Sequence, residues 1–518
     1  MNTKFKKLVR AISLVLCVAM LAACGNGGKE VAKEKDANTV TYWVSLSGNA
    51  MQTVTNLGET PFAKKLMEDL GVTIEYQHPA QGQAAEKFNL MVAMGNLPDI
   101  IEYAWNNAYP GGVAKALSSG IIQKLDLEKD APNMAAYAKA NPEIDRMLKT
   151  DDGDYFGFPF IRGDEYLLTS AGPIVRADWL KDLGLEEPET IDEWTEMLRA
   201  FKEKKNAKSP LSVSAANIEA FGLFVGAYGI ADNLYVDNGV VKYGPAQDAY
   251  KGFLTQMNQW YSEGLLDADF ASIDGATVRS NIINGVAGAT AGSCGSGIGR
   301  WIAAATEEGY DLAGTKYPVL NKGDKAQFGH YSLPVTTTMA AITRDCKNKE
   351  LCAKILDYGY GEQGQMLFNF GIEGESYNVV DGYPTYAEII TKNPDGLSMA
   401  DALARYTVAY SEGAFVQDKR YMEQYAQLPQ QKAALTNWMD TDMKDHVMPT
   451  VNLSEEERES IATAMESIKT YKNEMEAKFI MGVEPLDKFE EFQAELKKRG
   501  VEQYEKCYQA AYDRYMSR

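Results

Sequence analysis

Histidine and cysteine are scarce in this chain, and neither is spaced to hold a metal. His78, His330 and His446 stand alone and no two cysteines form a C-x-x-C pair, so nothing suggests a zinc site or a histidine cage. Beyond Ala23 no apolar run approaches the roughly 20 residues a membrane-spanning helix needs. Internal repeats and low-complexity stalks are missing, which argues against a solenoid, an adhesin or a structural filament. Positive charge is also in deficit: 52 Lys and Arg against 72 Asp and Glu leave a net charge of −20. Such a surface does not attract nucleic acid or an anionic membrane; its simplest role is solubility.

What the chain does have begins at its N-terminus. Lys4, Lys6, Lys7 and Arg10 make a positive region, and Ala11 to Ala23 supply thirteen mostly apolar residues, a length suited to a cleaved export signal and too short to cross a bilayer. The stretch Leu21-Ala22-Ala23-Cys24 resembles the bacterial lipobox. That resemblance implies a signal peptide over residues 1–23, a mature chain starting at Cys24 and a lipid on the Cys24 thiol that holds the protein outside the cytoplasmic membrane. Cleavage leaves 495 of the 518 residues and takes the net charge to −24, because the removed segment carries four basic residues and no acidic one. A chain this long exceeds one hydrophobic core and suits two or three lobes. Of the other mature cysteines, Cys294, Cys346, Cys352 and Cys507, any of three full pairings is open. Cys346 and Cys352 are near enough in sequence to bridge a loop to a helix start, or to remain thiols.

Residues 24–38 are glycine-rich and charged, without apolar periodicity, as a flexible tether should be. From Thr39 on, strand and helix patterns alternate. "TVTYWVSL" reads as a strand, Phe62, Leu66, Met67 and Leu70 mark a helix face stopped by Gly71, and "VTIEYQ" reads as a second strand. A helix with Phe88, Met91 and Val92 then stops at Gly95, before the strand "DIIEYAW". This alternation predicts a mainly parallel sheet with helical crossovers. Helices are expected over residues 176–183 and 191–205, the second opened by a Thr190/Glu193 capping box, and 284–299 reads as a glycine-rich strand and loop. The tail from Leu453 is strongly helical, with a Ser454/Glu457 capping box and Ile461, Met465, Ile468, Met475 and Phe479 at helical spacing.

Five stretches, in order, resemble a known group: "MGNLPDII" (94–101), "VRADWLKDLGLEEPETIDEW" (175–194), "WYSEGLLDADF" (260–270), "FNFGIEGESYNVVDGYP" (368–384) and "FIMGVEPLDKFEEFQAELKKRG" (479–500). Together, behind a lipobox, they are similar to the bacterial extracellular solute-binding lipoproteins (family 1, LplA-type long-chain subgroup) of sugar-type ABC importers. The resemblance implies an α/β, two-lobed, periplasmic-binding-protein-like (type II) fold with three hinge crossovers and a helical C-terminal extension. It implies crossings near residues 158–171, 314–319 and 377–381. One lobe would hold 39–160 plus 318–378, and the other 165–314 plus 382–518. Relatives often carry a calcium-type loop where this chain has "KEKKNAKSPLS" (202–212); lysines do not ligate calcium, so no metal and no cofactor is expected.

In such sheets ligands collect at the carboxyl ends of strands. Sugars present CH faces to aromatic rings and hydroxyls to polar groups. The candidate ligand-binding residues are therefore Trp43, Ser45, Tyr103, Trp105, Asn106, Phe158, Arg162, Ser293, Trp301, Glu373 and Tyr377, with Trp105 the leading contact. Trp179 and Trp194 lie on helical faces and read as core. "AGSCG" around Ser293 approximates a nucleophile elbow and "GYGEQG" (359–364) matches a dinucleotide fingerprint, but neither sits in the context its chemistry needs. No catalytic residue is therefore assigned. The expected function is capture of a carbohydrate or oligosaccharide for ABC permease subunits, by a monomer that binds no nucleic acid. The rival is a secreted, lipid-anchored carbohydrate-active hydrolase, for which composition supplies carboxylates but no distinguished pair. The identity of the sugar is not readable from these residues.

Overall fold

The β-forming stretches build two main sheets and two two-stranded hairpins (residues 234–243 and 377–386), described in the computed structural model over residues 37–408 and 413–518. The export signal, Cys24 and most of the tether lie outside the described residues. In chain order the strands are β1 (Thr39–Trp43), β2 (Thr73–Gln77), β3 (Ile100–Tyr103), β4 (Phe158–Arg162), β5 (Ala171–Arg176), β6 (Leu234–Asp237) and β7 (Val240–Tyr243). They continue with β8 (Ala289–Ser293), β9 (Leu312–Gly314), β10 (Val335–Ile342), β11 (Tyr377–Val380), β12 (Tyr383–Tyr386) and β13 (Phe415–Gln417).

The first sheet has the order β13-β4-β10-β3-β1-β2. β1 pairs in parallel with β2 and β3, as the strand–helix alternation predicts, while β10 runs antiparallel between β3 and β4. The second sheet, β8-β5-β9, is antiparallel throughout. The parallel expectation fails there because hydrophobic periodicity encodes element type, not strand direction. Local signals are read more faithfully. The helix Pro61–Leu70 starts where the Thr60 hydroxyl accepts from the Ala63 N–H and stops at Gly71 in the left-handed region (φ 67°). Both capping boxes form, opening the helices Ile191–Lys204 and Glu455–Ile480.

Each sheet carries its own core. Val40, Ile74, Phe88, Ile100, Trp105 and Phe158 pack around the first, and Ile174, Trp179, Trp194, Phe224, Phe253 and Trp260 around the second. The chain leaves the first core after Ile161, returns between Phe328 and Val335, and leaves again between Val416 and Ala426. The second and third crossings thus fall later than the sequence suggests. Tyr317 and Val319 still belong to the second core. Residues 377–386 are not a crossing: Asp381 (φ 52°) and Gly382 (φ 80°) close a tight hairpin between β11 and β12. Its Tyr377 and Tyr386 form a small core of their own with Phe370 and Leu403.

All three crossings lie side by side. β4 is flanked by the strands that begin and end the other two passages, and the bonding continues past the sheet: Arg162 N–H donates to Pro334 O (2.8 Å), Gly163 N–H to Gln417 O (3.1 Å), and Ser332 N–H to Leu168 O (2.7 Å). Asp164 pairs with Lys419 at 3.4 Å, a tie within the crossings. The tail clasps both lobes. Lys472 is buried between Glu476 of its own helix (2.6 Å) and Asp232 of the second lobe (2.9 Å), and burial together with the Glu476 charge pushes the Asp232 carboxyl up to about 7. At the far end Arg514 and Arg518 reach Asp151 of the first lobe.

The close stitching makes a test. A Cβ on Gly163 would meet Gln417 O at 2.7 Å and Val416 Cγ1 at 2.8 Å. Gly163→Ala is therefore expected to destabilise the protein by about 1–3 kcal/mol, read as a lowered denaturant midpoint. An unchanged midpoint would mean the crossings are not tightly packed.

Candidate functional site

The carboxyl ends of β1 and β3 open into a cavity of about 470 Å³ in the first lobe. Val44, Ser45, Leu46 and Ser47 follow β1 and form one rim, Tyr103 ends β3, and Thr338 comes from β10, whose reversed direction brings its first half to the same end of the sheet. Phe62, Leu66 and Phe368 make an apolar floor, with the Phe62 and Phe368 rings edge to face at 4.9 Å. Among the described residues, one carboxylate lines this cavity. Glu102 accepts from the Tyr42 hydroxyl at 2.5 Å, and burial, with Glu102 beside it, raises the Tyr42 phenol well above its usual range.

A second cavity, about 280 Å³, lies in the other lobe where β8 ends at Ser293. The expected loop after Ser293 is a wide helical turn over Cys294–Gly299 that runs into the helix Arg300–Ala304. Gly292 allows this packing: a Cβ there would fall 2.7 Å from the Trp301 indole. Phe221, Asn217, Arg279, Ser296 and Arg300 complete the lining. Phe221 stacks edge to face on His330 at 5.8 Å, which ties this cavity to the crossing segment. Desolvation in this half-buried position pushes the His330 imidazole down to about 4, so it is neutral at physiological pH.

Of the candidate residues, Ser45 and Tyr103 line the first cavity and Ser293 and Trp301 the second. The rest lie elsewhere. Trp105 is fully buried; its ring packs on Phe88 at 5.2 Å and its indole N–H donates to Ile101 O at 3.3 Å. The leading contact of the sequence reading is thus a core residue in this conformation, because the short helix Trp105–Ala108 folds the indole back under β3. Trp43 and Phe158 are buried in the same core, and Trp43 meets Tyr103 edge to face at 5.6 Å. Asn106 is buried with its Oδ1 unbonded, Arg162 donates to Leu333 O at 2.9 Å in the crossings, and Tyr377 is buried in the hairpin cluster beside exposed Glu373.

Most of the lining is not among the candidates. Leu46 and Ser47 follow Ser45, Glu102 precedes Tyr103 and Arg300 precedes Trp301 without being singled out, and Thr338, Asn217 and Arg279 come from elements distant in sequence that no local pattern marks. Ser293 does stand at a strand-to-helix junction, yet no histidine lines that cavity and burial pushes the neighbouring Cys294 thiol up to about 12. Neither cavity gathers the His, Cys or paired carboxylate ligands of a metal centre. In the stretch where calcium-type loops occur in relatives, the lysines serve structure: Lys205 pairs with Asp182 at 2.6 Å and Lys202 donates to Glu263 O. The thiols of Cys346 and Cys352 face each other at 3.1 Å.

Comparison with known proteins agrees with this geometry. The family model for bacterial extracellular solute-binding proteins matches residues 55–366. Lipoprotein LipO of Bacillus subtilis is 25% identical over 434 residues, 80% of this chain and 83% of that protein. The fructooligosaccharide ABC transporter substrate-binding protein FusA of Streptococcus pneumoniae is 28% identical over 292 residues, 51% of this chain and 54% of its own length. Among solved structures, the alginate-binding protein AlgQ2 without calcium ion superposes with a TM-score of 0.72 at 26% identity, covering 92% of this chain and 98% of that one.

The burial of Trp105 predicts the phenotype of its removal. Trp105→Ala is expected to lower unfolding free energy by about 3–5 kcal/mol in chemical denaturation. A stability loss below about 1 kcal/mol would return the indole to the list of surface contacts.

Proposed function

The chain belongs to the bacterial extracellular solute-binding protein family, and on that footing we propose that it captures a carbohydrate or oligosaccharide between its two lobes for an ABC importer. The observation that carries the reading is a pair of cavities, one in each lobe at strand carboxyl ends, on either side of three adjacent crossings. A ligand touching both would stabilise a closed arrangement, and the permease would recognise that closed shape. The names of the relatives point to the class of solute, since FusA is a fructooligosaccharide-binding protein and AlgQ2 an alginate-binding protein. Ser45, Ser47, Tyr103 and Glu102 would receive the sugar in the first lobe, and Ser293, Ser296 and Trp301 in the second.

Anchoring follows the sequence. A lipid on Cys24 and a charged tether would keep the monomeric receptor concentrated beside the membrane subunits, as linked modules do. LipO, itself named a lipoprotein, supports this reading. The hydrolase alternative is disfavoured by the linings. Glycoside hydrolysis needs two carboxyl groups about 5–9.5 Å apart. Among the described residues that line the two cavities, Glu102 supplies the only carboxylate.

Calorimetric titration of the mature chain with an oligosaccharide panel, followed by chromatography of the sugar, decides between the two. Saturable heat with the sugar recovered intact is the expected result, and turnover to shorter sugars would refute the receptor. Tyr103→Ala should weaken the best ligand about tenfold or more, equivalent to about 1.4 kcal/mol; wild-type affinity in that variant would remove the first cavity from the site.

A further inference from the structure

Arginines in this acidic protein are almost all in use. Arg176, Arg199, Arg405, Arg420, Arg499 and Arg514 each meet a carboxylate, as do Arg344 and Arg518. Arg162 and Arg458 donate to carbonyl oxygens, and Arg146 lies over the Tyr515 ring. Among the described residues, Arg279 and Arg300 are the two arginines with neither an ion pair nor a hydrogen bond, and both are exposed. They come from different helices, Gly275–Ile283 and Arg300–Ala304, yet line the same cavity of about 280 Å³.

Among the described residues, no acidic side chain lines that cavity. The nearest carboxylate in sequence, Asp274, accepts from the Thr277 N–H at 2.7 Å as the cap of its helix. The remaining lining suits a sugar unit: the Trp301 and Phe221 rings, the Ser293 and Ser296 hydroxyls and the Asn217 amide. Two guanidinium groups left without counter-charges on one cavity lining form a local positive site in a chain of net charge −20. Guanidinium groups match carboxylates in plane, with two parallel N–H donors.

We propose that the second-lobe cavity is a subsite for a carboxylate-bearing sugar unit, bound by Arg279 and Arg300, so that the receptor prefers acidic oligosaccharides; this rests on the carbohydrate-receptor reading above. The carboxylate supplies the counter-charge, the serines and Asn217 take ring hydroxyls, and the half-buried Phe221 offers a face to the ring. Neutral sugars would leave both guanidinium groups without a counter-charge.

The test is calorimetric titration of the mature chain with trigalacturonate and its fully methyl-esterified form, alongside neutral oligosaccharides, at low and physiological salt. The acid is expected to bind about tenfold or more tightly than the ester, and the margin should shrink as salt rises. In the double variant Arg279→Gln/Arg300→Gln the preference should fall to about twofold or less. Equal affinity for acid and ester, or a preference that survives the double substitution, would overturn the assignment. Binding of neutral sugars alone overturns it too while leaving the receptor intact, whereas failure of every saccharide to bind removes the receptor reading as well.

Discussion

Three chain crossings stitched side by side are the constraint on which the rest of this structure depends. Because β4 is hydrogen-bonded to both β10 and β13, the two cores are joined through one narrow, multiply bonded band. Such a band resists shear and twist better than a single linker would, yet it permits bending, since only a few backbone dihedrals change at each crossing. Both cavities sit close to it. The Phe221 ring of the second-lobe cavity touches His330 in one crossing, and Thr338 of the first-lobe cavity belongs to the strand that leaves the same crossing. Bending at the band is therefore coupled to the separation of the two linings.

The C-terminal helices add a second link. Their buried Lys472, flanked on its own helix by Glu476, anchors them to the second lobe through Asp232, while Arg514 and Arg518 hold Asp151 of the first. Neither attachment is a loose surface pair: Lys472 is buried, and Arg518, its side chain also buried, donates to Lys149 O as well as to Asp151. Removing one partner of a buried charge is costly by several kcal/mol, so the tail holds both lobes as a strap across the hinge.

The fold was legible wherever the signal was local. Gly71, Gly95 and the Thr190/Glu193 and Ser454/Glu457 pairs are punctuation that acts within a turn of helix, and the structure follows it. Strand direction and crossing positions were less legible, because they depend on partners a hundred or more residues away. The Asp381-Gly382 hairpin was a local signal that the family likeness obscured. At the site, the rule that ligands gather at strand carboxyl ends picked out Ser45, Tyr103, Ser293 and Trp301, which line the cavities, but residue type misled elsewhere. Trp43, Trp105 and Phe158 looked like stacking platforms and are core, since a large aromatic at a strand end buries more area by turning inward. Arg279 was invisible in sequence and Arg300, next to the candidate Trp301, was passed over, because what distinguishes both is the absence of partners in three dimensions.

The central claim is that two lobes, joined by this band, close around a sugar. Small-angle scattering of the mature chain, with and without a saturating oligosaccharide that calorimetry shows to bind, measures that closure directly. The account predicts a smaller radius of gyration and a shorter maximum dimension in the bound state. Identical scattering profiles with the ligand demonstrably bound would contradict it.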